Sequence, residues 1–331
     1  MKLASFYADG QERIGFCCED GSLIDAPDAV RLCEGRPADF PTEMIALIKA
    51  GPAALARLQQ ACNTVAENHS AVRRFSEDEI VWRPPVRTPS KIVCLALNNR
   101  ALDKIKLRAP TDHPAFFLKP FTALAAHNSP IRLRRSFGLT HPEPELAVVI
   151  GAALNNIAPE HVMDRVFGYT IMNDVTSVGM REEDSFSVRI FRPDPAGGPP
   201  KPDVGHTSYP GRYKATDTFA PLGPLITLRN EVADPAALSI KCWLGDRLVA
   251  SDHTRNYVWS VEQAVSHISR TMTLLPGDIV SMGTAVGGDE DDPDAPDIPG
   301  VTRANLNGFD GAVSVTISEL GTLSNPIETD G

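Results

Sequence analysis

The chain has 331 residues, 22% of them charged and 42% hydrophobic, the balance of an ordinary globular protein long enough for one large domain and a small one. Forty-two acidic against 32 basic residues leave a formal charge of −10 with no basic cluster, which excludes a nucleic-acid footprint. No apolar run reaches the ~18 residues of a membrane span, the start MKLASFYADG lacks a signal peptide's apolar core, and none of the six cysteines is spaced C-x-x-C, so a reducing cytoplasm without structural zinc or membrane contact is expected.

Taken in chain order, residues 1–80 are expected to form a small α/β unit of their own. LASFYA, RIGFCC and SLIDA read as short strands, with Asp9-Gly10 and Asp20-Gly21 as the turns between them. Thr42 is expected to cap the helix MIALIKA before Gly51, and Pro52-Ala53 to open a second helix. Residues 81–90, with Pro84-Pro85 and Pro89, read as a linker, and 91–331 as the larger, strand-rich domain.

Within that domain KIVCLAL is a buried strand. His141-Pro142-Glu143-Pro144-Glu145 then opens the apolar run LAVVIG. In a strand residues i and i+2 point the same way, so Glu143 and Glu145 present their carboxylates side by side. Pro142 and Pro144 cannot donate to a ladder, so this end is an edge or a strand start. GYTIMNDV reads as another strand with Asp174 just past its apolar part. Carboxylates on one face suit a hard divalent cation with oxygen ligands; a solvated acidic strand end is the alternative. Three of them together repel by a few kcal/mol per pair at an effective dielectric of ~20 unless a cation or a proton relieves the strain. Further on, Ser260 and Gln263 form a capping box opening a helix expected to run to about Leu274. Gly283-Thr284-Ala285-Val286-Gly287-Gly288 follows a strand without leading into a helix, so it is not a dinucleotide fingerprint.

Seven segments in order (KIVCLALN, FFLKP, PEPELAVVIG, GYTIMNDV, TFAPLGPLIT, LLPGDIVSMGTAVG and GTLSNPI) resemble the fumarylacetoacetate hydrolase family, over Lys91 to Pro326. The resemblance implies an α+β fold, a mixed β-roll preceded by the small N-terminal α/β domain, and a homodimer. It implies Glu143, Glu145 and Asp174 as ligands of Mg²⁺ or Mn²⁺, with Ca²⁺ a further candidate. Lys214 and Thr218 match the family's K-x-x-x-T, a lysine beside the metal that binds or protonates substrate oxygen and a threonine behind it. Gly283 and Thr284 are expected to border the substrate. The charges of three carboxylates, a divalent cation and one lysine sum to zero, which suits an anionic small-molecule substrate. The family acts on 2-oxo acids and 1,3-dicarbonyl compounds through a metal-stabilised enolate, so C–C bond hydrolysis is the default expectation.

The chain departs from the family where water should be activated. Leu102 and Ile105 stand at the positions of the His and Glu of N-Y-x-D-H-x-x-E. Loss of a general base costs about 10²–10⁴-fold, so a lyase or isomerase is the rival, and a catalytically silent binding homologue is the rival of another class. Val178 and Arg181 replace the arginine and glutamine of N-D-x-x-x-R-x-x-Q, and Arg181 can restore a positive charge for a substrate carboxylate. His206, in the long segment 183–210 that the family pattern lacks, is the preferred replacement base, ahead of His141 and His113. The acidic run from Asp289 to Asp294 reads as a solvated loop.

Overall fold

The computed structural model describes residues 1–36, 39–67, 72–104, 110–287 and 304–330. Ile105 and the run Asp289–Asp294 lie outside the described residues.

Strand Lys2–Ala8 turns back through Asp9 and Gly10, whose φ values of 52° and 77° are those a two-residue hairpin turn requires, into Gln11–Cys17. After Leu23–Asp25 comes a helix, Ala26–Glu34, that the sequence reading did not anticipate. Its local signals are present: the Asp25 side chain accepts from Asp28 N, Pro27 sits in the first turn, and Gly35 ends it left-handed. The two anticipated helices form one run, Met44–Glu67, broken at Gly51 by φ 72° and ψ −158°. The run begins at Met44, with Glu43 O accepting Leu47 N, two residues past Thr42.

A twelve-stranded sheet runs from this N-terminal part into the rest of the chain, where Lys2–Ala8 pairs antiparallel with Ala220–Leu228. Val81–Arg83, at the head of the segment read as a linker, is itself a strand on Lys2–Ala8. Next in order across the sheet come Val166–Asn173, Pro144–Ile150, Ile279–Ser281, Ile92–Ala96 and Ala115–Lys119. A second, five-stranded sheet contains Ser239–Leu244, Ala312–Ile317 and Gly321–Asp330. The architecture is the expected α+β roll.

Pro144–Ile150 is buried along its whole length, which is why its sequence shows an apolar run rather than alternation. Leu146, Val148 and Ile150 face the core shared with the second sheet and the helix Val261–Ser269. Ala147 and Val149 face the core under Leu47, Ile48 and Leu58 of the N-terminal helices. The strand starts at Pro144, so Glu143, expected within it, stands just before its first residue, and the strand lies inside the sheet, between Val166–Asn173 and Ile279–Ser281, not at an edge. The helix after Ser260 has both bonds of its capping box yet stops at Ser269, short of Leu274, because Leu274 exchanges backbone hydrogen bonds with Leu154. The inserted segment is a hairpin, Ser185–Arg192 paired with Lys201–Ser208, forming a two-stranded sheet by itself. Among the described residues no helix is long and apolar enough to cross a membrane.

Asp278 ties the strand end to the chain entry at Lys91. Fully buried, it accepts from Ser90 Oγ (2.6 Å), Lys91 N (3.1 Å), Lys91 Nζ (2.6 Å) and Leu275 N (2.8 Å). Asp278→Ala leaves these donors without their acceptor and is expected to cost about 3–5 kcal/mol, read as a lower urea midpoint at unchanged slope. A loss below about 1 kcal/mol would show that water replaces the carboxylate.

Candidate metal centre

Antiparallel pairing builds the site. Glu145 lies opposite Met172 and Pro144 opposite Asn173, so Glu143 meets Asp174 one step beyond the strand ends. Two bonds lock that step: Asp174 N donates to Glu143 O (2.9 Å) and Glu143 N to Asn173 Oδ1 (2.9 Å). One carboxylate oxygen from each of Glu143, Glu145 and Asp174 lies within 4.8 Å of the others. Glu145 and Asp174 are buried, and Glu143 opens onto a cavity of about 440 Å³.

Two ammonium groups face this cluster. Lys214, on the short helix Arg212–Ala215, donates to Glu143 Oε2 (2.8 Å) and Asp174 Oδ2 (2.6 Å), with Nζ 5.0 Å over the Phe117 ring. Lys119, the last residue of its strand and fully buried, donates to Asp174 Oδ1 and to Phe219 O (2.7 Å). Burial works against the charge on Asp174, but the two lysines outweigh it and hold this carboxyl below its ordinary range. Glu145 goes the other way: burial, helped by Asp174 and Glu143, pushes it well above. Burial opposes the charge of Lys214 too, and the three acids overcome it, so the amine stays protonated. Three clustered carboxylates, two of them buried and one of those driven toward protonation by burial and its neighbours, are a donor set that fits a hard divalent cation. With Lys119 counted, such a cation brings the site to +1 rather than to the neutral sum expected.

Arg181, Thr284, His141 and Leu102 line the same cavity. The Arg181 guanidinium has no hydrogen bond or ion pair among the described residues. Gly283 stands behind the acids and donates its N–H to Glu145 Oε2 (3.1 Å). Thr218 is elsewhere, its Oγ1 accepting Arg132 N (2.9 Å). His206 is exposed on the hairpin, 2.8 Å from Ser187 Oγ, beside a neighbouring cavity that shares Arg181 with the first. His113 stacks on His267 with ring centroids 5.0 Å apart. The histidine brought to the cluster is His141, whose Nε2 is 3.8 Å from Glu143 Oε1. Its Nδ1 lies 3.2 Å from Pro142 O, and a carbonyl can only accept, so the proton sits on Nδ1 and Nε2 is left as the acceptor. Burial lowers the His141 pKa, against a smaller opposing effect of Glu143, and keeps the ring neutral.

A family profile described as "Fumarylacetoacetate (FAA) hydrolase C-terminal" matches residues 91–328. The chain belongs to the fumarylacetoacetate hydrolase family. Among its relatives, protein Rv2993c of Mycobacterium tuberculosis is 32% identical over 73% of this chain and 77% of its own. The mitochondrial oxaloacetate tautomerase fahd2 of Xenopus laevis is 28% identical over 99% of this chain and 90% of its own. Among solved structures, maleylpyruvate hydrolase from Sphingobium sp. SYK-6, crystallised with manganese(II) and pyruvate, superposes over the full length of both chains with a TM-score of 0.71 at 27% identity.

Three residues of this family member's site went unrecognised in the sequence: Lys119, Thr176 and Ser281. Thr176 Oγ1 lies 2.8 Å from Glu143 Oε1, and Ser281 Oγ donates to Glu145 Oε2 at 2.5 Å. Lys119 is the lysine of the FFLKP motif, where a lysine ending an apolar strand was the available signal. Thr176 and Ser281 carry no signal of their own.

Proposed function

We propose that this enzyme interconverts the keto and enol forms of a small 2-oxo acid, with a divalent cation at Glu143, Glu145 and Asp174. One observation carries the reading. The cavity wall has what enolate chemistry needs, but the apolar Leu102 lines it where hydrolytic members carry a histidine. A bound divalent cation would supply Lewis-acid polarisation of the 2-oxo group. Lys214 Nζ is placed to donate to the oxygen on which enolate charge develops. His141 Nε2, neutral and unprotonated, is the atom placed to take the proton from carbon. Arg181, whose guanidinium has no partner among the described residues, supplies a cationic contact for a carboxylate at the far end of the substrate. The near full-length similarity to an oxaloacetate tautomerase supports the same class.

Hydrolysis of a C–C bond is the second reading, favoured by the similarity to maleylpyruvate hydrolase. One assay series separates the two on the Mg²⁺-loaded protein: decay of enol-oxaloacetate absorbance against acetylpyruvate hydrolysis, for the parent, His141→Gln and His206→Ala. The expected result is tautomerisation faster than hydrolysis, reduced about 10²-fold in His141→Gln and unchanged in His206→Ala. Efficient hydrolysis by the parent, lost in His206→Ala, would instead restore a hydrolase with its base on the hairpin.

A further inference from the structure

We propose that Asp252, a buried carboxylate outside the cavity, is the positioning residue that ties two segments of the cavity wall together, and so sets how tightly the cavity holds a substrate anion. The proposal rests on the reading of this cavity as the substrate site and names what fixes its shape.

Asp252 stands one residue before the end of the strand Arg247–His253 and is not among the residues lining the cavity. Its Oδ2 accepts from Asn99 Nδ2 (2.9 Å), Val286 N (3.0 Å) and Gly287 N (3.4 Å). Its Oδ1 accepts from Asn256 Nδ2 (2.6 Å) and His253 N (2.7 Å). No cation pairs with it among the described residues, so uncharged N–H donors alone hold this buried charge.

The Oδ2 donors come from the two segments that border the cavity. Asn99 leads into the helical turn Arg100–Lys104, which brings Leu102 to the wall. Val286 and Gly287 end the segment that brings Thr284 and Val286 to the same wall. Asn99 also reaches the second segment directly, donating to Thr284 O (3.2 Å), and its Oδ1 accepts Ala101 N (2.9 Å) within its own turn. The family pattern N-Y-x-D-H places tyrosine where Asn99 stands. An amide nitrogen has two hydrogens to donate and a phenol has one, so this replacement lets a single side chain join the turn to both Asp252 and Thr284.

Loss of the carboxylate leaves Val286 N and Asn99 Nδ2, both buried, without their acceptor, and parting of the two segments is what brings water to them. The acids of the centre are held by other bonds, Glu143 by Asn173 and Thr176 and Glu145 by Ser281 and Gly283. Substrate binding therefore responds to Asp252, and cation binding does not.

The test compares the parent with Asp252→Ala and Asn99→Ala as full-length, Mg²⁺-loaded proteins, by amide hydrogen exchange and by calorimetric titration with oxalate, a non-reacting analogue of a 2-oxo acid. In Asp252→Ala the amides of residues 99–103 and 284–287 are expected to exchange about tenfold or more faster, while those of Pro144–Ile150 keep the parent's rates. Oxalate is expected to bind about tenfold more weakly to both variants, with Mg²⁺ affinity kept. A merely structural role would speed exchange throughout the sheet and lower the fraction of competent protein without changing the affinity of that fraction. Asn99→Ala leaves the carboxylate and its four other donors in place, and it carries the test if Asp252→Ala folds poorly. Unchanged exchange in both segments, loosened segments with oxalate affinity kept, or a parent that binds no oxalate overturns the proposal. Turnover enters neither readout, so failure of the reaction proposed above leaves this inference standing, and an Asp252 without effect leaves that reaction standing.

Discussion

Asp174→Asn is expected to abolish cation binding and turnover together, and to destabilise the metal-free protein by about 3–5 kcal/mol. Asparagine has nearly the volume of aspartate, so the effect is one of charge. Asp174 is the acid that both ammonium groups share, Lys119 through Oδ1 and Lys214 through Oδ2. Its neutralisation leaves Lys119, whose side chain has no exposed surface, as a buried charge without a counterion. Glu143 still answers Lys214, so the loss falls chiefly on Lys119. Calorimetry with Mg²⁺ and urea unfolding of the metal-free protein read the two effects separately. Mg²⁺ binding at the parent affinity would remove Asp174 from the ligand set, and unchanged stability would mean that Lys119 finds another partner.

Lys214→Met is expected to lower kcat about 10²-fold or more on any substrate the enzyme turns over, the scale for a donor aimed at a developing oxyanion. Methionine keeps the unbranched stem against Phe117 and removes the ammonium. Because Lys214 also bridges Glu143 and Asp174, its loss raises the net negative charge at the centre, and the cation is expected to bind at least as tightly as in the parent. A lower kcat with metal affinity kept is therefore the signature of a group acting on substrate. An unchanged kcat with only a raised KM would make Lys214 a binding residue.

How far the site could be read in the sequence depended on the range of the interaction. Glu143 and Glu145 could be paired by inspection, because the two-residue period of a strand decides which side chains share a face. Asp174 could be added because it closes a second apolar strand. Lys119 could not, although its motif was recognised: a lysine is ordinarily solvated, and nothing near it in the chain shows that its ammonium ends against Asp174. The histidines could not be placed from the sequence for the same reason. His206 looked poised because an inserted loop can cover a cavity, but the insertion pairs with itself and holds His206 on an exposed hairpin beside a neighbouring cavity. His141, ranked behind it, is turned onto the cluster by the pairing of Thr140–His141 with Thr176–Ser177.

The sequence by itself determined strands such as Gln11–Cys17 and Pro144–Ile150, the helices within Met44–Glu67 and after Ser260, the turns with their left-handed residues and the facing pair of acids, since each depends on backbone period and on chemistry within a few residues. Only the tertiary structure decided that Lys2–Ala8 extends the catalytic sheet, that Ser281 and Thr176 each hold one oxygen of an acid, and that a second ammonium shifts the charge of the centre. Those facts depend on strand order. Strand order places Ile279–Ser281 beside Pro144–Ile150, and Lys119 against Asp174, across 136 residues from Ser281 to Glu145 and 55 from Lys119 to Asp174, distances over which local sequence carries no record of its partner.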